Sequence, residues 1–209
     1  MNGRLTLTLG GVALVFAWLA PLGALTGGGF AAHMLAHMLV VAVAAPLLAL
    51  GISGTRLDPL PRLPWLGAAI PASLVDLAVV SLWHAPLLHH AARHRLDAFA
   101  AEQASFLAAS LWLWIAVLGG GSAARLARAG GSIIALVLTF AHMTLLGALL
   151  SLTPRPLYDH SDPTARLSPL ADQQVGGTIM LIFGGCYIAA GLWLGRGLVR
   201  ETGPLGAAR

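Results

Sequence analysis

The sequence predicts an all-α membrane protein, a polytopic bundle of six transmembrane helices with both termini on the cytoplasmic side. Composition carries the first half of that expectation. The 209 residues are 57% hydrophobic and only 10% charged; a soluble globule can hide only part of so much apolar surface, whereas lipid accepts nearly all of it. The second half comes from six apolar runs, each near the ~20 residues of helix that cross a hydrocarbon layer. They cover 5–25, 31–50, 65–88, 98–118, 132–152 and 175–194. Such continuous runs lack the alternation of a barrel strand, and backbone groups in lipid must bond internally, so helices follow. With no internal repeat and no low-complexity tail, 1–209 reads as one integral membrane domain.

The joints between runs carry the expected punctuation. Gly27, Gly28 and Gly29 separate the first two runs, Pro59, Pro61 and Pro64 precede the third, and a glycine and arginine stretch fills 119–131. Pro21, Pro46, Pro71 and Pro86 fall inside or near the ends of runs and predict kinks. The first run follows Arg4 as a signal peptide would, but it is longer than an ordinary signal core and reads as an uncleaved helix.

Arginine placement sets the orientation. Arg4, Arg56, Arg62, Arg125, Arg128, Arg196, Arg200 and Arg209 fall on the side of the amino terminus, against Arg93, Arg95, Arg155 and Arg166 opposite. Positive charge is retained on the cytoplasmic side, which predicts a multi-pass protein with both termini inside. Asp97, Glu102, Asp159, Asp162 and Asp172 suit an acidic outer surface. The net charge of +4 comes from arginines scattered in ones and twos, which are topological anchors rather than a nucleic-acid footprint. The single cysteine, Cys186, excludes an internal disulfide and reads as a small buried hydrophobe. Trp65, Trp83, Trp112, Trp114 and Trp193 lie near run ends, as an interfacial belt requires, and Trp18 reads as packing.

None of the eight histidines falls on the cytoplasmic side of this topology. His33 and His37 open the second run at its outer end, and His84 sits near the outer end of the third. His89, His90, His94 and His160 read as solvated loop residues with a secondary capacity to capture ions. Only His142 is deep. In His33-Met34-Leu35-Ala36-His37-Met38 both histidine and methionine repeat at i, i+4, which stacks like residues one helical turn apart. Imidazole suits several transition metals and thioether selects soft Cu(I); His142-Met143 repeats the pair. Taken singly, each is an ordinary interior histidine or packing methionine, but several ionisable side chains at the edge of lipid cost free energy unless paired or liganded.

Asp76 is the one carboxylate near the centre of a run, at about the depth of His142, so the two can pair if the third and fifth helices touch. A bond from Asp76 to a neighbouring serine or threonine is the equal alternative. Ser168-Pro169 reads as the cap and first position of the last helix. That places Asp172 in its first turn, where the helix dipole favours a carboxylate; the functional alternative makes it a metal ligand or a partner orienting an imidazole. Gly176 and Gly177 permit close helix approach.

Several ordered blocks resemble the CtaG family of membrane-embedded cytochrome c oxidase assembly factors. They are His33-Met34-Leu35-Ala36-His37-Met38-Leu39 continuing to Ala45-Pro46-Leu47-Leu48, Leu82-Trp83-His84-Ala85-Pro86, and Asp172-Gln173-Gln174-Val175-Gly176-Gly177 through Met180. Thr144-Leu145-Leu146-Gly147 and Pro156-Leu157-Tyr158 are also similar. The resemblance implies a periplasm-facing metal site at His33, His37, His84 and Asp172, a non-enzymatic role in supplying copper to the oxidase, and oxidase subunits with periplasmic copper chaperones as partners. Met34, Met38 and His142 complete the expected Cu(I) donors. Six spans stand where seven are expected in larger members, and Leu181 stands where a tryptophan is usual. Two other readings compete: a b-type haem-binding cytochrome, for which histidine pairs on facing helices are expected, and a proton-coupled transporter using Asp76 and His142. No nucleophile motif, zinc-protease signature or inverted repeat supports a hydrolase or a transporter.

Overall fold

The computed structural model of the protein describes residues 2–158 and 165–202, with the side chains of Glu201 and Thr202 excepted. Asp159, His160, Asp162 and Arg209 lie outside the described residues. Among the described residues every regular element is helical: α1 (Gly3–Leu19), α2 (Leu22–Thr26), α3 (Gly29–Ile52), α4 (Ala69–Trp83), α5 (Pro86–His94), α6 (Leu96–Leu118), α7 (Gly121–Ala127), α8 (Ala129–Leu152) and α9 (Pro169–Thr202). Four helices, α3, α6, α8 and α9, are long and apolar enough to cross a membrane, and the bent pair α4 and α5 is a candidate fifth span.

The first and third predicted runs are where the structure departs from expectation. The run 5–25 is interrupted at Ala20 and Pro21, because proline cannot supply the N–H that would continue the ladder; α1 stops at Leu19 after 17 residues. At ~1.5 Å per residue that is about 26 Å, somewhat short of a ~30 Å hydrocarbon core. The run 65–88 begins with a 3-10 turn, Pro64–Gly67, and its helix ends at Trp83. Ala85 is extended, Pro86 starts α5, and the chain bends by 73° between α4 and α5. Pro71 sits in the first turn of α4, where its missing N–H costs nothing, and α4 runs on to Trp83.

Pro46 acts differently. Its absent N–H leaves Ala42 O without the usual acceptor role, and the helix responds with a π-helical stretch, Leu39–Ala44. Ala45 N donates to Val40 O, five residues back, instead of to Val41 O. The indole N–H of Trp114 takes the carbonyl so released, at 2.8 Å from Val41 O. Trp114 is therefore buried and bonded rather than interfacial. Trp18 is half exposed at the end of α1 and donates to Gln103 Oε1 at 3.0 Å.

The helices α8 and α9 pack along much of their length, α9 also lies on α3, and α4 contacts α6 and α8. Glycines set two of these separations. A Cβ on Gly177 would lie 2.6 Å from Gly147 O and 2.5 Å from Ser151 Oγ, and one on Gly176 would lie 2.5 Å from the Phe30 ring. The core between them is Phe30, Met34, Met38, Leu113, Met143, Met180 and Tyr187, all essentially inaccessible.

Candidate functional site: a buried histidine cluster

The amino end of α3 is held by an acid from another helix. Asp172 Oδ2 accepts the N–H of Phe30 at 2.9 Å and Oδ1 that of Ala31 at 2.8 Å. These are two of the donors a helix start leaves unpaired, and a carboxylate there also meets the positive end of the helix dipole. Gly28 admits this contact, since a Cβ there would lie 2.1 Å from Asp172 Oδ1. Asp172 itself sits in the first turn of α9, behind a Ser168 Oγ that accepts from Ala171 N at 3.3 Å.

So anchored, α3 aims His33 and His37 inward, and both are buried. Their rings lie 6.4 Å apart and nearly parallel. His84, at the carboxyl end of α4, completes a triangle with ring centroids 6.2 Å from His33 and 5.7 Å from His37. The bend after Trp83 swings α5 over this group, placing His89 4.9 Å from His33 in an edge-on contact. From α6 comes Glu102, fully buried, with Oε2 3.8 Å from His33 Nδ1. Ligand atoms of His33, His89 and Glu102 lie within 4.8 Å of one another.

Hydrogen bonding sorts these atoms into committed and open ones. The Nδ1–H of His84 donates to Val80 O at 2.7 Å, which fixes the tautomer and leaves Nε2 as a lone-pair donor. That Nε2 faces Met34 Sδ at 3.4 Å. Tyr158 donates to His84 O at 2.7 Å and stacks on Phe30 at 4.5 Å, closing the cluster from the segment that follows α8. Glu102 Oε2 accepts from Arg93 and from Gln103 Nε2, the latter at 3.2 Å. Glu102 Oε1, His33 Nε2 and both ring nitrogens of His37 are buried without a hydrogen-bond partner. Each such atom costs about 1–3 kcal/mol unless something satisfies it. Four of them belong to this one cluster of side chains.

The expected site residues divide accordingly. His33, His37, His84 and Met34 come together. Asp172 is spent on the backbone of α3. Met38 is buried in the hydrophobic core. His142 lies mid-way along α8, with Nε2 directed at Asp76 Oδ2 at 3.7 Å, while Ser110 Oγ donates to Asp76 Oδ1 at 3.3 Å. The third and fifth predicted helices do touch; of the two partners proposed for Asp76, the serine bonds it, while His142 faces it beyond hydrogen-bond distance. His89, expected as a solvated loop residue with a secondary capacity to capture ions, is instead buried on α5, and Glu102, expected on an acidic outer surface, is buried on α6; neither was among the expected ligands. His90 and His94 lie on the outer side of α5, their rings 4.2 Å apart.

Fold and site together define a multi-pass helical membrane protein with an imidazole, carboxylate and thioether cluster enclosed near one end of its bundle. The chain belongs to the cytochrome c oxidase caa3 assembly factor (Caa3_CtaG) family, whose model matches residues 4–200. No curated protein and no solved structure shows a significant match. Membership makes this a membrane-embedded factor of oxidase assembly, and such factors are suited to a non-catalytic role.

Proposed function

We propose that this assembly factor receives copper at the periplasmic end of its bundle and passes it to the oxidase. The observation that carries the reading is the pair His84 Nε2 and Met34 Sδ, 3.4 Å apart with the other imidazole nitrogen already bonded to Val80 O. Two lone-pair donors facing each other gain nothing without a cation between them. Ligands ~2.0 Å and ~2.3 Å from a tetrahedral ion stand ~3.5 Å apart. Thioether with imidazole is a donor set for Cu(I).

Beside this soft pair stand His33, His89 and Glu102, a harder set of two nitrogens and an oxygen. An ion would draw them inward by roughly 1 Å to reach ordinary bond lengths. His33 adjoins both sets, so copper can move between them by exchanging one ligand at a time, with no change in oxidation state and no thiol. Glu102 supplies the negative charge, and Arg93 balances it until the cation arrives. Asp172 acts by holding the helix that presents His33 and His37. Arg93, Arg95, Arg155 and Arg166 belong to the segments at the cluster's end of the bundle, against the more numerous arginines opposite, which supports a periplasmic site. Oxidase subunits and periplasmic copper chaperones are the partners this reading requires.

The test is complementation of a deletion strain. The wild-type gene restores oxidase activity, a His33→Ala/His84→Ala variant does not, and added copper rescues the variant. Full activity from a stably inserted double variant in low copper would overturn the reading. An intense Soret band in the purified protein would favour the haem-binding alternative.

A further inference from the structure

At the end of the bundle opposite the histidines, α7, α8 and α9 border two adjoining open hollows. The first, about 400 Å³, is bordered by Ser122, Arg125, Trp193, Arg196 and Arg200. The second, about 580 Å³, runs along α8 and α9 between Ile133, Val137, Ile188, Leu192 and Val199, and shares Arg196 and Arg200 with the first. The two therefore form one feature with a cationic mouth and an aliphatic trough. Arg125 stacks over the ring of Trp193, 5.1 Å from its centroid, and that indole is half exposed. Among the described residues no carboxylate pairs with Arg125, Arg196 or Arg200. By contrast, the nearby Arg128 bonds Gly119 O at 2.9 Å.

We infer that this feature binds an anionic phospholipid, with the phosphate at the three arginines and an acyl chain in the trough. Charge complementarity selects the headgroup, because three guanidiniums gathered at a hollow, none paired with a carboxylate among the described residues, attract an anion and donate to its oxygens in a forked geometry. Length selects the tail. From Arg196 to Tyr187 the helix rises about 14 Å, close to half of a ~30 Å hydrocarbon core, and therefore to one leaflet. The trough also has small residues where the chain would lie, since Gly191 and Gly195 have nothing within 4 Å of a built Cβ. An acidic peptide fits poorly, because its amides would enter the aliphatic trough without partners. An exposed indole beside the arginines suits the headgroup boundary.

Native mass spectrometry of the full-length protein in neutral detergent, titrated with phosphatidylglycerol or with phosphatidylcholine of the same acyl chains, tests the site. The wild type retains phosphatidylglycerol preferentially. An Arg125→Gln/Arg196→Gln/Arg200→Gln variant loses about a hundredfold in that affinity, given the usual strength of an arginine near an anionic headgroup. Its affinity for phosphatidylcholine stays the same. Arg95→Gln, in an exposed ion pair with Asp97, changes neither. Gly191→Leu fills the trough from a position with free space and weakens phosphatidylglycerol while sparing inorganic phosphate. Equal retention of the two lipids, an unchanged triple variant, or phosphate competing as well as the lipid would each overturn the assignment.

Discussion

Asp172→Asn separates a carboxylate that holds a helix from one that holds a metal. In the structure both oxygens accept backbone N–H groups, at 2.8 and 2.9 Å from Ala31 and Phe30, and all three residues are buried. A hydrogen bond to a charged group contributes about 1.5–3 kcal/mol. Removing both in Asp172→Ala therefore costs about 3–6 kcal/mol, and losing the carboxylate at a helix start adds ~0.3–1 kcal/mol. Asparagine keeps one acceptor and turns an amide N–H₂ toward the other donor, so roughly half the loss is expected, about 2–3 kcal/mol. At ~2–4 °C per kcal/mol for a chain of this size, the midpoint falls by ~5–10 °C. Thermal unfolding in detergent, followed by tryptophan fluorescence, measures that shift, and copper titration well below the midpoint measures the site. The expected result is a less stable protein that still binds copper with an affinity close to the wild type. Unchanged stability with abolished copper binding would refute the capping argument and make Asp172 a ligand.

Glu102→Gln keeps the side chain's shape but removes the charge facing Arg93 and His33, so copper affinity should fall at least about tenfold, with Glu102→Asp retaining part of it; equal affinity of the Gln variant in equilibrium dialysis excludes a ligand role. Gly177→Ala forces a Cβ to within 2.6 Å of Gly147 O and should destabilise by about 1–3 kcal/mol. Gly185→Ala, with nothing within 4 Å, should be neutral or stabilising by up to ~1 kcal/mol; unfolding scans that rank the two the other way contradict the packing described. Burial pushes the Asp58 carboxyl up, but N–H groups of Gly54, Gly120 and Leu60 and the charge of Arg128 outweigh it and hold the group below its ordinary 3.8. Its stabilisation is thus present above the unfolded value and lost as pH falls through the lower folded one. Acid titration of stability should show an Asp58→Asn protein starting lower and losing less on acidification. The Tyr158 phenol, pushed up to about 12 by burial, remains a donor to His84 O across the working range; Tyr158→Phe should cost ~0.5–1.5 kcal/mol, equally at neutral and mildly alkaline pH.

Much of this arrangement was readable from residue order, because lipid imposes long apolar runs and helices impose an i, i+4 repeat. Four runs became helices that can span, and His33 and His37 do share one inward face. Pro21 and Pro86 were visible as interruptions, yet their consequences differ. The first ends a helix, and the second turns the chain by 73° so that α5 lies over the cluster. That turn is why His89 read as a solvated loop residue: in an extended loop it would be solvated, whereas one helical face after Pro86 puts it beside His33. Glu102 was readable in part, since a carboxylate inside an apolar run demands a partner, but its partners Arg93 and His33 come from elements whose docking no local pattern encodes. The two bonds from Asp172 to α3 span about 140 positions. Local cap rules placed Asp172 on its own helix and could not see the second helix that it secures. The bond from Trp114 to Val41 O is of the same kind, arising only after Pro46 has shifted the register of α3.

Cu(I) titration of the purified, folded protein against a competing chromophoric chelator tests the central claim most directly, with the wild type set beside His33→Ala, His84→Ala and Met34→Leu. The account predicts stoichiometric binding by the wild type and sharply weakened binding in both histidine variants. It also predicts that Met34→Leu loses preference for Cu(I) over Zn(II). Wild-type affinity in all three variants, with intact unfolding profiles, would contradict a copper-receiving cluster at these residues.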